Sequence, residues 1–117
     1  MKRLFVVIRS HGAGWRASRS MEDQEDWQAH AYFMNTLEKE GFVLLGGPLE
    51  GTHEVLLVIR ASTADEIVER LLADPWSSGD ILRISRITPW TLRLGSLSQG
   101  IAAFQDSAVH NDSSDER

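Results

Sequence analysis

The hydrophobic period of this chain alternates between two and 3.6, and the order of that alternation leaves few folds open. Leu4 to Arg9 is short, apolar and β-branched, and reads as a strand. Ser10 to Arg19 is a loop broken by Gly12, Gly14 and Ser18. A helical period then runs from about Glu22 to Glu40, with Trp27, His30, Ala31, Phe33, Met34 and Leu37 on one face. Gln28, Tyr32, Asn35 and Lys39 fall opposite. Glu22, Asp23, Glu25 and Asp26 suit the positive N-terminal end of this helix, and Gly41 suits the position just past its C-terminus. Phe42 to Leu45 forms a second strand, stopped by Gly46-Gly47-Pro48. After a turn at Glu50-Gly51-Thr52, Glu54 to Arg60 forms a third, and the two pair as a hairpin.

Thr63-Ala64-Asp65-Glu66 is a capping box that opens a second helix, whose stripe is Ala64, Ile67, Val68, Leu71 and Leu72. Pro75 disfavours helical geometry at Asp74, so that helix closes there. Ile81 to Ile87 is the fourth strand. Trp90, Leu92 and Leu94 alternate with Thr91 and Arg93 as a short additional edge segment.

The resulting order, β-α-β-β-α-β, is the ferredoxin-like arrangement of the α+β class, an antiparallel sheet with two helices on one face. Such a sheet leaves its other face bare. The first strand is apolar on both parities, Phe5 and Val7 beside Leu4, Val6 and Ile8, so the second face needs a cover. A second copy of the chain is the simplest one. The expected assembly is a homodimer with two sheets face to face, a dimeric α/β barrel.

A chain of 117 residues is long enough for one domain with a modest core. That domain is expected to span residues 1–97, with 98–117 a polar, acidic and largely disordered tail in which Ile101-Ala102-Ala103-Phe104 forms at most one helical turn. The tail carries Asp106, Asp112, Asp115 and Glu116 against Arg117, which is −3 of the formal −5. No basic face is left to track phosphates, so nucleic acid is an unsuitable partner. With no cysteine there is no thiolate nucleophile, thiolate metal site or disulfide framework, and a cytoplasmic setting fits. The apolar run at Leu4 to Ile8 is too short for a signal sequence, and nothing approaches the ~20 apolar residues of a membrane span.

Asp74 carries the most chemical information. A carboxylate at a helix C-terminus is disfavoured by about 0.3–1 kcal/mol unless something offsets it. One candidate is His30, the lone histidine on the apolar face of the first helix. A carboxylate on one imidazole nitrogen would fix the tautomer and leave the other to carry protons, catalysis worth roughly 10²–10⁴-fold. Bland readings stand beside this. Spacing alone favours a structural His30 bonded to backbone or water, and Asp74-Pro75-Trp76 is also a natural N-cap with proline at N1. His11, His53 and His110 form no metal-ligand spacing, so no metal site is expected. Gly12-Ala13-Gly14 lacks the third glycine and the lysine of phosphate-binding loops. Trp15, in this glycine loop, suits a pocket lid.

Three segments taken in order, Trp27-x-x-His30-x-x-Phe33-Met34, Gly41 to Leu49 and Ala73-Asp74-Pro75-Trp76, resemble the YCII-related (YciI-like) family of the dimeric α/β-barrel superfamily. The resemblance covers residues 1 to about 95. It implies a ferredoxin-like protomer, a dimer, and an active site built from His30 and Asp74. It also brings in the activities of related proteins: a dehydrochlorinase acting on a chlorinated hydroxyquinol, muconolactone isomerases and cofactor-free monooxygenases. The leading expectation is a small-molecule enzyme without metal or organic cofactor, catalysing proton transfer or elimination on a cyclic or aromatic-derived substrate. His30 is its general base and Asp74 the orienting partner. Gly46, Gly47 and Pro48 bring backbone near the ligand, and Trp15, Met34 and Trp76 line the pocket. The alternatives are a non-catalytic ligand-binding or accessory dimeric module, and a cofactor-free oxygenase.

Overall fold

The computed structural model of the protein describes residues 1–97. The tail, and with it the expectation of disorder and of one helical turn, lies outside the described residues. Eight elements follow in chain order: β1 (Arg3–His11), a 3-10 turn (Met21–Asp23), α1 (Trp27–Lys39), β2 (Val43–Pro48), β3 (Glu54–Ala61), α2 (Ala64–Leu71), α3 (Pro75–Ser78) and β4 (Leu82–Trp90). The strands form one antiparallel sheet in the order β2-β3-β1-β4. This is the α+β, ferredoxin-like arrangement read from the sequence, with a one-turn helix α3 inserted before the last strand. Among the described residues no helix is long and apolar enough to cross a membrane.

One sheet face carries the core. Phe5, Val7, Leu57 and Ile59 are buried there beneath Leu37 of α1, Ile67 and Leu71 of α2, and Trp76 of α3. Residues paired across the strands share a face, so Leu4, Val6 and Ile8 of β1 line the other side with Leu45, Leu56, Val58 and Trp90. Leu45 is 42% and Trp90 38% exposed. Among the described residues no helix covers this apolar face.

Several boundaries differ from the sequence reading. The first long helix begins at Trp27 rather than Glu22. Asp26 adopts a left-handed conformation (φ 60°), and buried Gln24 locks the preceding segment by accepting from Arg16 N and donating to the carbonyl oxygens of Arg16, Arg19 and Ser20. The acidic run therefore precedes α1 instead of filling its first turn. Strand β2 runs through Gly46-Gly47-Pro48 rather than stopping before them. It is an edge strand, where a missing proline N–H is tolerated. The stripe of α2 is narrower than its period suggested: Ile67 and Leu71 are buried, while Ala64, Val68 and Leu72 face solvent. Its cap is present, with Glu66 N donating to Thr63 Oγ1 at 3.1 Å and Ser62 N to Glu66 Oε1 at 2.8 Å. No strand is formed by Thr91 to Leu94. β4 pairs Trp90 with Leu4, and β1 ends one residue beyond that pair, so no partner backbone remains.

Candidate active site

The site is assembled by β1, α1 and the junction between α2 and α3. His30 stands in the first turn of α1, its N–H bonded to Asp26 O at 2.9 Å, and is 8% exposed. Asp74 is fully buried at the N-cap of α3, where Oδ1 accepts from Trp76 N at 3.0 Å. The two side chains meet: His30 Nδ1 lies 3.0 Å from Oδ1 and 2.9 Å from Oδ2 of Asp74. An ionised carboxylate only accepts, so Nδ1 carries the proton and Nε2 is the lone-pair nitrogen of the neutral ring. Nε2 has no hydrogen-bond partner among the described residues and is not sealed from solvent.

Asp74 has a further partner that the sequence reading missed. Arg9, 1% exposed, donates from one terminal nitrogen to Asp74 Oδ2 at 2.8 Å and from the other to Ser77 Oγ at 2.8 Å. Ser77 in turn donates to Leu71 O at 2.7 Å. Burial pushes the Asp74 carboxyl up, but the hydrogen bond and charge of His30, the Trp76 N–H and Arg9 together outweigh it. The net effect holds the carboxyl below its ordinary value. A signal for Arg9 was present in its parity, since it follows Phe5 and Val7 on the core-facing register of β1. Nothing in the sequence marked Ser77.

An aromatic wall continues from the pair. Trp76, fully buried, stacks on His30 with ring centroids 3.8 Å apart, and donates from Nε1 to Glu25 O at 2.6 Å. Trp15 meets Trp76 edge-on at 5.9 Å and stacks on His11 at 3.6 Å, and His11 lies 5.2 Å from His53. His11 and His53 are a second titratable cluster that spacing did not single out, because they join through strand pairing. Burial, and then the proximity of His53, lower the pKa of His11.

The loop carrying Trp15 is held by close backbone contact. A Cβ at Gly12 would lie 2.2 Å from Asp80 O, and one at Gly14 would lie 2.3 Å from Gly79 O. Gly12 N and Gly14 N donate to Ile81 O and Asp80 O at 2.9 and 2.8 Å. The two glycines thus serve packing against residues 79–81.

Of the residues singled out from the sequence, His30, Asp74, Trp76 and Trp15 are linked by these contacts. Met34 packs against the core from α1. Pro48 pairs with Val55 on the core face of the sheet, whereas Gly47 pairs with Leu56 on the opposite face and does not point toward the pair. Gly46 sits against Leu57, where a Cβ would lie 2.7 Å from a methyl group. Among the described residues no three carboxylates or histidines cluster to hold a metal ion.

The fold defines an α+β protomer of the kind used in dimeric α/β barrels. The chain is similar to 5-chloro-2-hydroxyhydroquinone dehydrochlorinase (TftG) from Burkholderia phenoliruptrix AC1100, whose structure holds 2,5-dihydroxybenzoquinone. The TM-score is 0.55 at 18% identity, covering 79% of this chain and 95% of that one. No protein-family model matches the chain, and no curated protein matches it by sequence. The similarity establishes the fold; membership of the YCII-related family stays an expectation.

Proposed function

We propose that the protein is a cofactor-independent small-molecule enzyme in which His30 is the general base and Asp74 orients it. One observation carries this reading: Nδ1 is clamped between both carboxylate oxygens, while Nε2 has no partner among the described residues. The clamp fixes the tautomer that exposes a lone pair, and it stabilises the imidazolium formed when Nε2 takes a proton. Proton abstraction from a ring carbon or hydroxyl, followed by loss of a leaving group or return of the proton elsewhere, needs nothing more from the protein than this and a shaped apolar wall. Trp15, half-buried and edge-on to the fully buried Trp76, supplies the wall, which suits a cyclic or aromatic-derived substrate. The similarity to a dehydrochlorinase holding a dihydroxybenzoquinone supports that substrate class. The working form is a homodimer joined through the bare sheet face, within the YCII-related family.

The test is turnover on a panel of chlorinated hydroxyquinols, lactones and cyclic hydroxy acids, followed by chloride release and ring absorbance. Wild-type turnover that disappears in His30→Gln is the expected result. Turnover retained in that variant removes His30 from the mechanism.

A second reading, a non-catalytic ligand-binding or accessory module, is favoured by a different observation. The His30 side chain is only 10% exposed, and a cleft of about 590 Å³ lies elsewhere, lined by Lys2, Arg3, Arg60 and Leu97. That reading expects ligand-induced stabilisation with no turnover across the panel.

A further inference from the structure

We infer that Arg9 is a positioning residue that sets the charge of the His30–Asp74 pair, so that the imidazole faces a carboxylate already neutralised by a guanidinium. The inference rests on the general-base reading above and deepens it. Its grounds are geometric. Asp74 accepts from three elements at once: from Arg9 of β1 on Oδ2, from Trp76 N–H of α3 on Oδ1, and from His30 of α1 on both. Arg9 and Asp74 are 1% and 0% exposed, so water screens this ion pair little. The guanidinium cannot move off the carboxylate easily, because its other terminal nitrogen is held by Ser77, and Ser77 by Leu71 O.

Charge counting gives the consequence. A histidine beside a lone buried carboxylate is strongly favoured as imidazolium, which is useless as a base. With Arg9 in place the cluster is neutral when His30 is neutral, and it becomes a net cation when His30 takes a proton. Arg9 therefore opposes protonation of the resting imidazole while keeping Asp74 ionised to orient it. No other charged side chain touches the imidazole among the described residues. Trp27 from its own helix and Trp76 from α3 present rings, and His11 and His53 lie beyond Trp15. A guanidinium that merely filled space would not move the titration of His30.

The experiment is a histidine-selective NMR titration of wild type, Arg9→Gln and Arg9→Lys, which needs no substrate. A failure here is thus distinct from absence of turnover. In Arg9→Gln the His30 midpoint is expected higher than in wild type, and in Arg9→Lys unmoved. An unmoved midpoint in Arg9→Gln overturns the inference, as does an equal movement in both variants, which would make the effect one of shape. Should Arg9→Gln fail to fold, the carboxyl signal of Asp74 in His30→Gln decides. Asp74 is expected to stay ionised at neutral pH on Arg9 and the Trp76 N–H alone. An Asp74 that is protonated at neutral pH in that variant overturns the assignment.

Discussion

His30 and Trp76 stack with their rings 7° from parallel and 3.8 Å apart. The indole covers one face of the imidazole, and Asp74 takes Nδ1, so the Nε2 edge is left without a partner among the described residues. The same tryptophan donates its backbone N–H to Asp74, so one residue fixes both members of the pair.

His30→Ala and Asp74→Asn should each lower kcat by at least ~10²-fold, because the first removes the proton acceptor and the second the group that fixes its tautomer. Asp74→Asn should also be destabilised by about 3–5 kcal/mol, since it leaves the guanidinium of Arg9 buried without its counter-charge. Steady-state kinetics with urea unfolding of the same samples separates the two effects. An unchanged kcat in either variant would exclude that residue.

Trp76→Ala should cost about 3–5 kcal/mol, the range for emptying a fully buried aromatic site. Trp76→Phe retains most of the burial but loses the bond to Glu25 O, so its loss should be smaller, about 1–2 kcal/mol. Denaturant midpoints at constant m-value report both.

Gly12→Ala tests the close approach of the loop to residues 79–81. Its Cβ would meet backbone, which cannot rotate away, so a loss of about 1–3 kcal/mol is expected. Gly47→Ala is the control, because a Cβ there meets nothing within 4 Å. Equal stability of the two variants would show that the loop is not held by this contact.

Stability should fall on acidification in two separate steps. His11 has a pKa below its ordinary value in the folded chain, so the unfolded chain binds its proton first. Its contribution is complete above the ordinary histidine value near 6.5 and declines as pH drops from there toward the folded value. Asp74 is likewise depressed, so its contribution is complete above the ordinary aspartate value near 3.9 and is lost as pH falls through the lower folded value. Thermal melts from pH 8 to 3 should show both steps. His11→Gln should abolish the upper one and Asp74→Asn the lower.

The element order and the His30–Asp74 pairing were legible in the sequence for identifiable reasons. Periodicity marks elements, and the Asp74-Pro75 break marks a carboxylate at a helix junction. Arg9 was less visible because a charge ending an apolar strand reads as a strand boundary. Only the tertiary arrangement shows its two donors held by residues 65 and 68 positions away. The His11–Trp15–His53 cluster joins by strand pairing and a loop return, neither of which has a sequence period. Val68 and Leu72 are exposed because they lie about 100° around the helix from buried Ile67 and Leu71 respectively, off the line along which α2 meets the sheet.

The bare sheet face gives the last prediction. Val6 and Ile8 are half-buried there, beside Leu45 and Trp90, which are 42% and 38% exposed. Apolar residues on four strands facing water form a contiguous patch of the kind monomers seldom display. Pairing two such faces would bury their centres, and a stable interface of this type covers roughly 1,200–2,000 Å². A charge introduced on β1 at the centre of the face should therefore act on association more than on the protomer fold, since the side chain points away from the helices. Sedimentation of the wild type at micromolar concentration should give the mass of a dimer, and Val6→Lys that of a folded monomer. A wild type that sediments as a monomer would remove the homodimer from the proposed function. A Val6→Lys protein that stays dimeric would move the interface to another surface.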